Sequence, residues 1–389
     1  MYFSTTEFSN RLEKTKASMI KGNIEVLIIT DPSNINYLTG YDGWSFYVPQ
    51  GVIISLDLKE PIWFGRKQDA NGAKITTYLS HNNIIGYPEE LIQSPPAHPY
   101  DYVSKIIQDK HWSKKSIGVE MDSYYYSAEC HARLLKHLPN TIIKDSSLLV
   151  NWIRLIKSEN EIEYMKQASV LAQAGMQKAY DNIKPGVRQC DVVADIQHSL
   201  LSGTNQFGGE YSGLTTILAS GISASASHLT PKDQKFIIGE GTIIELAGVK
   251  HRYHCPLSRT VYLGKPDQKT LDTMAITIEG VEAAIMNTKP GSTAHDVAKT
   301  FWNVLAKHGL EKDSRLGYAT GIGYPPDWGE HTMSIRLNDN TVLEPNVTFH
   351  MIAGMWMDTW GLAVSETIRV IKNGCETFCN FPRALHIKE

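Results

Sequence analysis

Two stretches, AYDNIKPGVRQCDV (residues 179–192) and AIMNTKPGSTAHDV (residues 284–297), align without a gap at an offset of 105 residues. They share an Asn, a Lys-Pro-Gly turn and a closing Asp-Val pair, and upstream of them Gly175 recurs as Gly280. Chance recurrence of a common turn is the alternative, but matches in register over this length favour a true duplication. The sequence therefore predicts an internally repeated domain with pseudo-twofold symmetry and a site between its halves.

The repeated turn also predicts local structure. In each copy an amphipathic helix is expected to stop at Lys-Pro-Gly, since proline cannot continue a helix and glycine accepts unusual backbone dihedrals. Asp191 and Asp296 are then placed to cap the helix that follows. Before the first copy, Ser158 and Glu161 form a capping box at the start of a long helix.

The first 150 or so residues have a different pattern, in which short β-rich runs alternate with helical segments at 8–21 and 99–109. This alternation is typical of an α/β layer. A chain of 389 residues also exceeds one ordinary core. We predict two domains, residues 1–155 and 156–389. The expected strands are EVLIIT (25–30), GVIISL (51–56), PIWFG (61–65), NIIGY (83–87) and SIGVEM (116–121).

Composition narrows the functional classes. A formal net charge of −3 provides no basic field for nucleic acid or an anionic membrane surface. The N-terminal residues show no basic stretch followed by an apolar run, so we expect no export signal. Five scattered cysteines suit reduced thiols better than a disulfide framework, which indicates a cytoplasmic protein.

Several motifs together resemble the pita-bread family of creatinase, prolidase and the methionine aminopeptidases (peptidase family M24). They are the twin Lys-Pro-Gly turns, a strand hairpin that ends in Ser-Arg-Thr, and the segments GIG (321–323), LEPNVTFHM (343–351) and SETIRVIKNG (365–374). The resemblance implies a creatinase-type α/β N-terminal domain followed by an α+β pita-bread catalytic domain. It also implies a homodimer in which a loop of the N-terminal domain lies near the neighbouring active site.

The resemblance also bears on metal binding. Metal-using members hold two ions with two Asp, one His and two Glu. Carried over to this chain, those positions read Glu245, Pro256, Thr320, Ile352 and Glu366. Pro and Ile offer no side-chain donor, so two carboxylates out of five ligands cannot close the site. We expect no metal and no other cofactor, as in creatinase.

Three residues are then candidates for catalysis. Glu245 and Glu366 are expected to face one cavity, and His228 matches the family's substrate-facing histidine. The alternative for each acid is a buried structural carboxylate held by a backbone amide or by an arginine such as Arg259 or Arg369. Two acids in a metal-free pocket suit hydrolysis at an amidine or guanidine carbon, which is already polarised and needs only a nucleophile or base and a proton donor.

A second group is expected to bind the substrate. The arginines that clamp creatine in creatinase are replaced here by Val48 and Glu330, and aromatic residues stand nearby. Aromatic faces stabilise a delocalised cation, although packing at a domain or dimer interface is an equal alternative. The predicted substrate-binding residues are Trp44, Phe46, Tyr47, Trp328, Glu330 and His350.

Longer stretches resemble the bacterial ectoine hydrolases. The resemblance implies ring opening of the cyclic amidine ectoine to N-acetyl-L-2,4-diaminobutyrate. Three alternatives stay open: a creatinase-like amidinohydrolase of an open-chain guanidine, a divergent Xaa-Pro-type peptidase, and a non-catalytic binding module. The matching stretches include DPSNINYLTGYDGWSFYVPQGVI (31–53), WFGRKQDANGA (63–73), RYHCPLSRTVYLGKP (252–266), GIGYPPDWGEHTMS (321–334) and GCETFCNFPR (374–383).

Overall fold

A computed structural model describes residues 1–389. It divides into two compact units, Met1–Arg154 and Leu155–Glu389, one residue away from the boundary expected from the sequence. No helix of either unit combines the length and the apolar character needed to cross a membrane.

The N-terminal unit is an α/β layer built on a six-stranded mixed sheet in the order β4-β3-β2-β1-β5-β6. All five β-rich runs singled out in the sequence form strands of this sheet, which confirms the α/β class of the unit. Its strands are β1 (Val26–Ile29), β2 (Gly51–Ser55), β3 (Ile62–Arg66), β4 (Ile84–Tyr87), β5 (Ile117–Val119) and β6 (Ile143–Asp145). Its helices are α1 (Thr5–Lys21), α2 (Pro32–Thr39), α3 (Ala70–Thr76), α4 (Pro99–Asp109), α5 (Ala128–His137) and α6 (Leu149–Arg154).

The C-terminal unit places four helices against a nine-stranded sheet in which β14-β13-β12-β10-β9-β8-β7 follow one another, with β11 paired to β10 and β15 to β9. Its helices are α7 (Glu159–Asn182), α8 (Gln189–Ser202), α9 (Gln268–Asn287) and α10 (Ala294–Lys307). Its strands are β7 (Ile217–Ser220), β8 (Gly241–Lys250), β9 (Tyr253–Leu263), β10 (Gly317–Tyr324), β11 (Asp327–Ile335), β12 (Thr348–Trp356), β13 (Gly361–Ile371), β14 (Gly374–Thr377) and β15 (His386–Lys388).

The sequence repeat is a structural repeat, since each copy supplies a helix pair followed by strands. Gly186 and Gly291, the turn glycines of the two copies, have φ angles of 81° and 87°, which residues with a Cβ rarely adopt. The matched asparagines each donate to a residue thirteen positions on, Asn182 to Asp195 and Asn287 to Thr300. Equivalent residues therefore make equivalent contacts in the two halves.

The matched glycines upstream set how closely the helices of each pair approach. A Cβ on Gly175 would lie 2.8 Å from Leu200 of α8, and one on Gly280 would lie 2.8 Å from Phe301 of α10. Both glycines thus allow one helix of the pair to pack directly on the other. Because both halves need glycine at these positions and at the turns, the repeat can be recognised in the sequence.

The prediction that Asp191 and Asp296 cap the second helices needs correction. The N-cap positions are Arg188 and Thr293, and both aspartates lie in the first helical turn. Asp296 still accepts from the Thr293 backbone N–H as the distal member of a capping box. The capping box predicted at Ser158 and Glu161 is confirmed.

The two faces of the C-terminal sheet differ in kind. On one face, apolar side chains of β8, β9 and β13 such as Leu246, Leu257 and Val364 pack against the four helices. We call this the helix face. Successive residues of a strand point to opposite faces, so Glu245 lies on the other face, which we call the site face.

Candidate active site

Glu245 lies in the middle of β8 within the hairpin that β8 forms with β9. Ser258 is directly opposite it, and Pro256 is opposite Ala247, so both β9 residues share the site face with Glu245. The Glu245 side chain is 7% exposed and makes no hydrogen bond within the chain. The Ser258 hydroxyl is buried and also has no hydrogen-bond partner. Two polar groups with unused bonding capacity therefore stand side by side.

The environment of Glu245 favours its protonated form. Burial, and after it the negative charge of Asp327, raise the pKa of Glu245 to about 7. A carboxylate with this pKa can exchange a proton near neutral pH, and when it is ionised it is a poorly solvated base and nucleophile.

Glu366 lies on the opposite face of the sheet from Glu245, which corrects the expectation that both acids face one cavity. On β13 Glu366 pairs with Met351, whereas Ser365 pairs with Ile352, so Ser365 takes the site face and Glu366 the helix face. There the Glu366 carboxylate accepts from Arg259 Nη2 at 2.7 Å, and both side chains are fully buried. Burial raises the pKa of Glu366 although the guanidinium groups of Arg259 and Arg383 oppose the shift. Glu366 therefore matches the alternative given from the sequence, a buried structural carboxylate held by Arg259.

A chain of hydrogen bonds runs across the site face from β11 to β9. Trp328 Nε1 donates to the Tyr318 hydroxyl at 2.8 Å, and that hydroxyl lies 3.1 Å from His350 Nδ1. His350 Nε2 is 2.8 Å from Ser365 Oγ, which also accepts from the Ser258 backbone N–H at 2.7 Å. Burial and then the charge of Glu245 raise the pKa of Tyr318, which keeps its hydroxyl protonated.

His350 was expected to contact the substrate, but the structure places it inside this series of hydrogen bonds. His350 is fully buried and both of its ring nitrogens bond to protein groups. Burial, with the charges of Arg259 and Arg315, lowers its pKa to about 3, so the imidazole is neutral. His350 therefore orients the Tyr318 hydroxyl. Within this series of hydrogen bonds, Tyr318 is the residue whose pKa is raised by the charge of Glu245.

Asp327, at the start of β11, supplies a second carboxylate close to Glu245. Its Oδ1 accepts from the backbone N–H groups of Trp328 and Gly329, and its Oδ2 lies 3.0 Å from His331 Nε2. Burial alone would raise the pKa of Asp327, but these hydrogen bonds lower it to about 2. Asp327 is therefore a fixed negative charge beside a carboxyl group that titrates near neutrality.

His228 lies in the segment between the short 3₁₀ helix Gly221–Ser225 and β8. Ala224 of that helix packs on the site face against Ile243 and Ala363. His228 itself is exposed, and its one hydrogen bond is to the neighbouring Ser227, with no contact to Glu245. The structure thus places His228 on the segment between that helix and β8, outside the hydrogen-bonded site.

The remaining predicted substrate-binding residues fall into three environments. Glu330 is buried in an ion pair with Lys157 at 2.7 Å, so its carboxylate is already engaged. Trp328 is fully buried and forms part of the hydrogen-bond chain. In the N-terminal unit, Trp44 and Tyr47 are 58% and 62% exposed, and Phe46 packs against Trp44 at 4.7 Å between ring centroids.

Comparison with known proteins identifies both units. The model of metallopeptidase family M24 matches residues 163–372, and that of the creatinase/prolidase N-terminal domain matches residues 11–156. An ectoine hydrolase of Halomonas elongata is 43% identical over 99% of this chain and 98% of its own length. An uncharacterized hydrolase/peptidase of Sinorhizobium fredii is 41% identical over 100% of this chain and 99% of its own.

The chain belongs to metallopeptidase family M24. It is a hydrolase that acts on C–N bonds. Solved structures of the family share the fold: a prolidase of Thermococcus sibiricus superposes with a TM-score of 0.85 at 17% identity, covering 99% of this chain and 100% of its own. An X-Pro aminopeptidase of Thermotoga maritima does so with 0.81 at 19%, covering 97% and 99%.

The M24 fold implies a two-metal centre, but the donors on the site face do not fit one. Of the family's ligand positions, only Glu245 keeps a carboxylate here. Pro256 and Ile352 are apolar, the Thr320 hydroxyl donates to the Trp328 carbonyl, and the β13 position is filled by Ser365. Nowhere do three His, Cys, Asp or Glu side chains gather in a geometry that could hold an ion. The expectation of two retained carboxylates is thus corrected to one.

Three site residues were missed from the sequence of this M24 protein: Tyr318, Asp327 and Ser365. Tyr318 lies two residues before Thr320, and a period of two along a strand could have found it. Ser365 was missed because its acidic neighbour Glu366 was chosen instead. Only the register of β12 with β13 shows which of these two residues lies on the same side of the sheet as Glu245. Asp327 follows two prolines, and no spacing rule points to it.

Proposed function

We propose that this protein hydrolyses ectoine, a cyclic amidine that carries a carboxylate, to N-acetyl-L-2,4-diaminobutyrate without a metal ion. The observation that carries the proposal is Glu245, a buried carboxylate free of protein hydrogen bonds with a pKa raised to about 7, on a face that lacks the other metal-ligating side chains. The relative in Halomonas elongata named ectoine hydrolase supports the choice of substrate.

In this reaction Glu245 attacks the amidine carbon or activates the water that does so. The water oxygen ends on that carbon as an amide carbonyl, one ring C–N bond breaks, and the departing nitrogen takes a proton to become an amine. The amidinium is already polarised, so no Lewis acid is required at the carbon. Asp327 is the fixed negative charge that balances the cation.

Two groups are available to handle the proton. The Tyr318 hydroxyl is held by the neutral His350 and by Trp328 on the face that carries Glu245, and in the proposed reaction it donates a hydrogen bond to the nitrogen that departs. His228 is exposed on the segment that leads into β8, and we assign to it the transfer of protons between the site and solvent. In the proposed mechanism Tyr318 orients the departing nitrogen and His228 acts as the shuttle.

The experiment that tests this function uses purified protein treated with a chelator and then supplied with ectoine. We expect ring opening at an undiminished rate, with the N-acetyl-diaminobutyrate product identified by mass spectrometry. Loss of turnover that returns on adding Mn²⁺ or Co²⁺ would refute metal independence. Failure to open ectoine, with cleavage of creatine or of an Xaa-Pro dipeptide instead, would establish one of the rival activities.

We also propose a cytoplasmic homodimer. All five cysteines are free thiols, as suits a reducing compartment. The exposed Trp44 and Tyr47 give the N-terminal unit an aromatic surface that a second copy can cover, where they would stack on the amidinium bound to its partner. Light scattering should then give twice the chain mass of 43.5 kDa. A monomeric mass in the fully active enzyme would exclude the shared site.

A further inference from the structure

Arg315 lies on the site face immediately before β10, and the mechanism above does not use it. Its guanidinium carbon lies 4.5 Å from the centre of the Tyr318 ring. Its Nη1 donates to Ser334 Oγ at 2.9 Å, which is its single hydrogen bond within the chain. Ser334 pairs with Tyr318 across β10 and β11, so both side chains, and Arg315 with them, are on the face that bears Glu245.

The surroundings of Arg315 carry a positive charge. Arg315 also lines a cavity of about 440 Å³ beside α10, together with Trp302, Lys312, Asp313, Arg336 and Leu337, of which Asp313 is the one acidic residue. The Lys312 ammonium is buried and bonds to Ser314 Oγ and the Gly354 carbonyl. Arg315 and Arg336 are exposed, so their donors are accessible to a ligand.

We propose that Arg315 binds the carboxylate of the substrate, an assignment that rests on the proposed function. The two ends of ectoine carry opposite charges, and side chains of opposite charge follow one another along the site face in the matching order. Glu245 and Asp327 form the anionic end for the amidinium, Tyr318 shares the site face with Glu245, and Arg315 covers the ring of that tyrosine. A planar guanidinium with unused donors is suited to a bidentate contact with a carboxylate.

This arrangement also assigns a specificity. Binding the carboxylate at Arg315 holds the ring in one orientation, with the amidine carbon towards Glu245. Open-chain or cyclic amidines without a carboxylate would lose that anchor and bind in several orientations. Arg315 thus selects anionic amidines, while Glu245 carries out the chemistry on any amidine that reaches it.

The test compares the wild type with Arg315→Met, which keeps a long side chain over the Tyr318 ring and removes the charge. Kinetics are measured with ectoine and with 2-methyl-1,4,5,6-tetrahydropyrimidine, the same ring without the carboxylate. We expect KM for ectoine to rise about 10- to 100-fold with kcat within a few-fold, as for the loss of one charge-assisted contact. The carboxylate-free ring should show the same kcat/KM in both proteins.

The outcomes separate the two proposals. An equal fall in kcat/KM for both substrates, or an unchanged KM for ectoine, would overturn the role of Arg315. Failure of the wild type to open ectoine would instead overturn the proposed function. Arg188→Met, at the half-exposed N-cap of α8, is the matched control and should behave as the wild type with both substrates.

Discussion

Replacing Glu245 with glutamine lowers kcat for the proposed hydrolysis by about 10³-fold or more, because the amide is neither a base nor a nucleophile. The substitution keeps the size of the side chain, and Glu245 has no hydrogen bond within the chain that the amide would break. Circular dichroism and thermal unfolding should therefore show a folded protein. Turnover by Glu245→Gln within ten-fold of the wild type would refute the assignment.

The same group determines the pH dependence. Glu245 must be ionised to act, and its pKa is raised to about 7, so kcat/KM of the wild type should fall as pH decreases below that value. Asp327→Asn removes the nearby negative charge and should move this acid limb to lower pH. An acid limb that stays in place in Asp327→Asn would show that Asp327 does not act on Glu245.

Glu245 also links pH to stability. Its pKa is higher in the folded protein than in the unfolded chain, so the ionised form destabilises the fold. The penalty is absent below the unfolded pKa of about 4.5, grows as pH rises towards the folded pKa of about 7, and levels off above it at roughly 3 kcal/mol. Glu245→Gln should thus melt above the wild type at pH 8.5 and together with it at pH 4. The reverse order would mean that Glu245 is stabilised as an anion.

The second large effect is on stability, at the helix face. Arg259 uses all five of its guanidinium donors, on the Glu366 carboxylate and on the carbonyls of Ser258, Ser365, Phe381 and Pro382. Arg259→Met leaves the buried carboxylate without its closest cation and the carbonyls without their donor. We expect the free energy of unfolding of the C-terminal unit to fall by about 3–5 kcal/mol, measured by denaturant titration.

Glu366→Gln separates structure from catalysis. The amide oxygen can still accept from Arg259, so we expect a smaller loss of stability, about 1–3 kcal/mol, with kcat of the folded enzyme within a few-fold of the wild type. A kcat reduced as far as that of Glu245→Gln, in a variant of unchanged stability, would return Glu366 to the catalytic site. The double variant Arg259→Met/Glu366→Gln should be more stable than Arg259→Met alone, because it no longer buries an unpaired charge.

Local structure and the duplicated fold could be predicted from the sequence because each rests on short-range chemistry. Proline ends α7 and α9 whatever surrounds them in the fold. The backbone has a positive φ at the same point of both copies, which favours glycine, and Gly186 and Gly291 stand there. Glu245 could be found in the same way, as an acid in the middle of an apolar strand. The loss of metal ligands at Pro256 and Ile352 was equally visible, since neither residue type can donate to an ion.

What the sequence could not decide is which face of the sheet a residue takes. Side chains alternate along a strand, so a shift of one position moves a residue from the site to the interior. Only the pairing of β12 with β13 shows that Ser365 faces Glu245 while Glu366 turns to Arg259. The sequence by itself determined the repeat, the α/β and α+β domains and the single carboxylate on β8. The tertiary structure alone decided that Asp327, Tyr318 and Arg315 come to lie on the face that carries it, because register and packing join residues that are far apart in the chain.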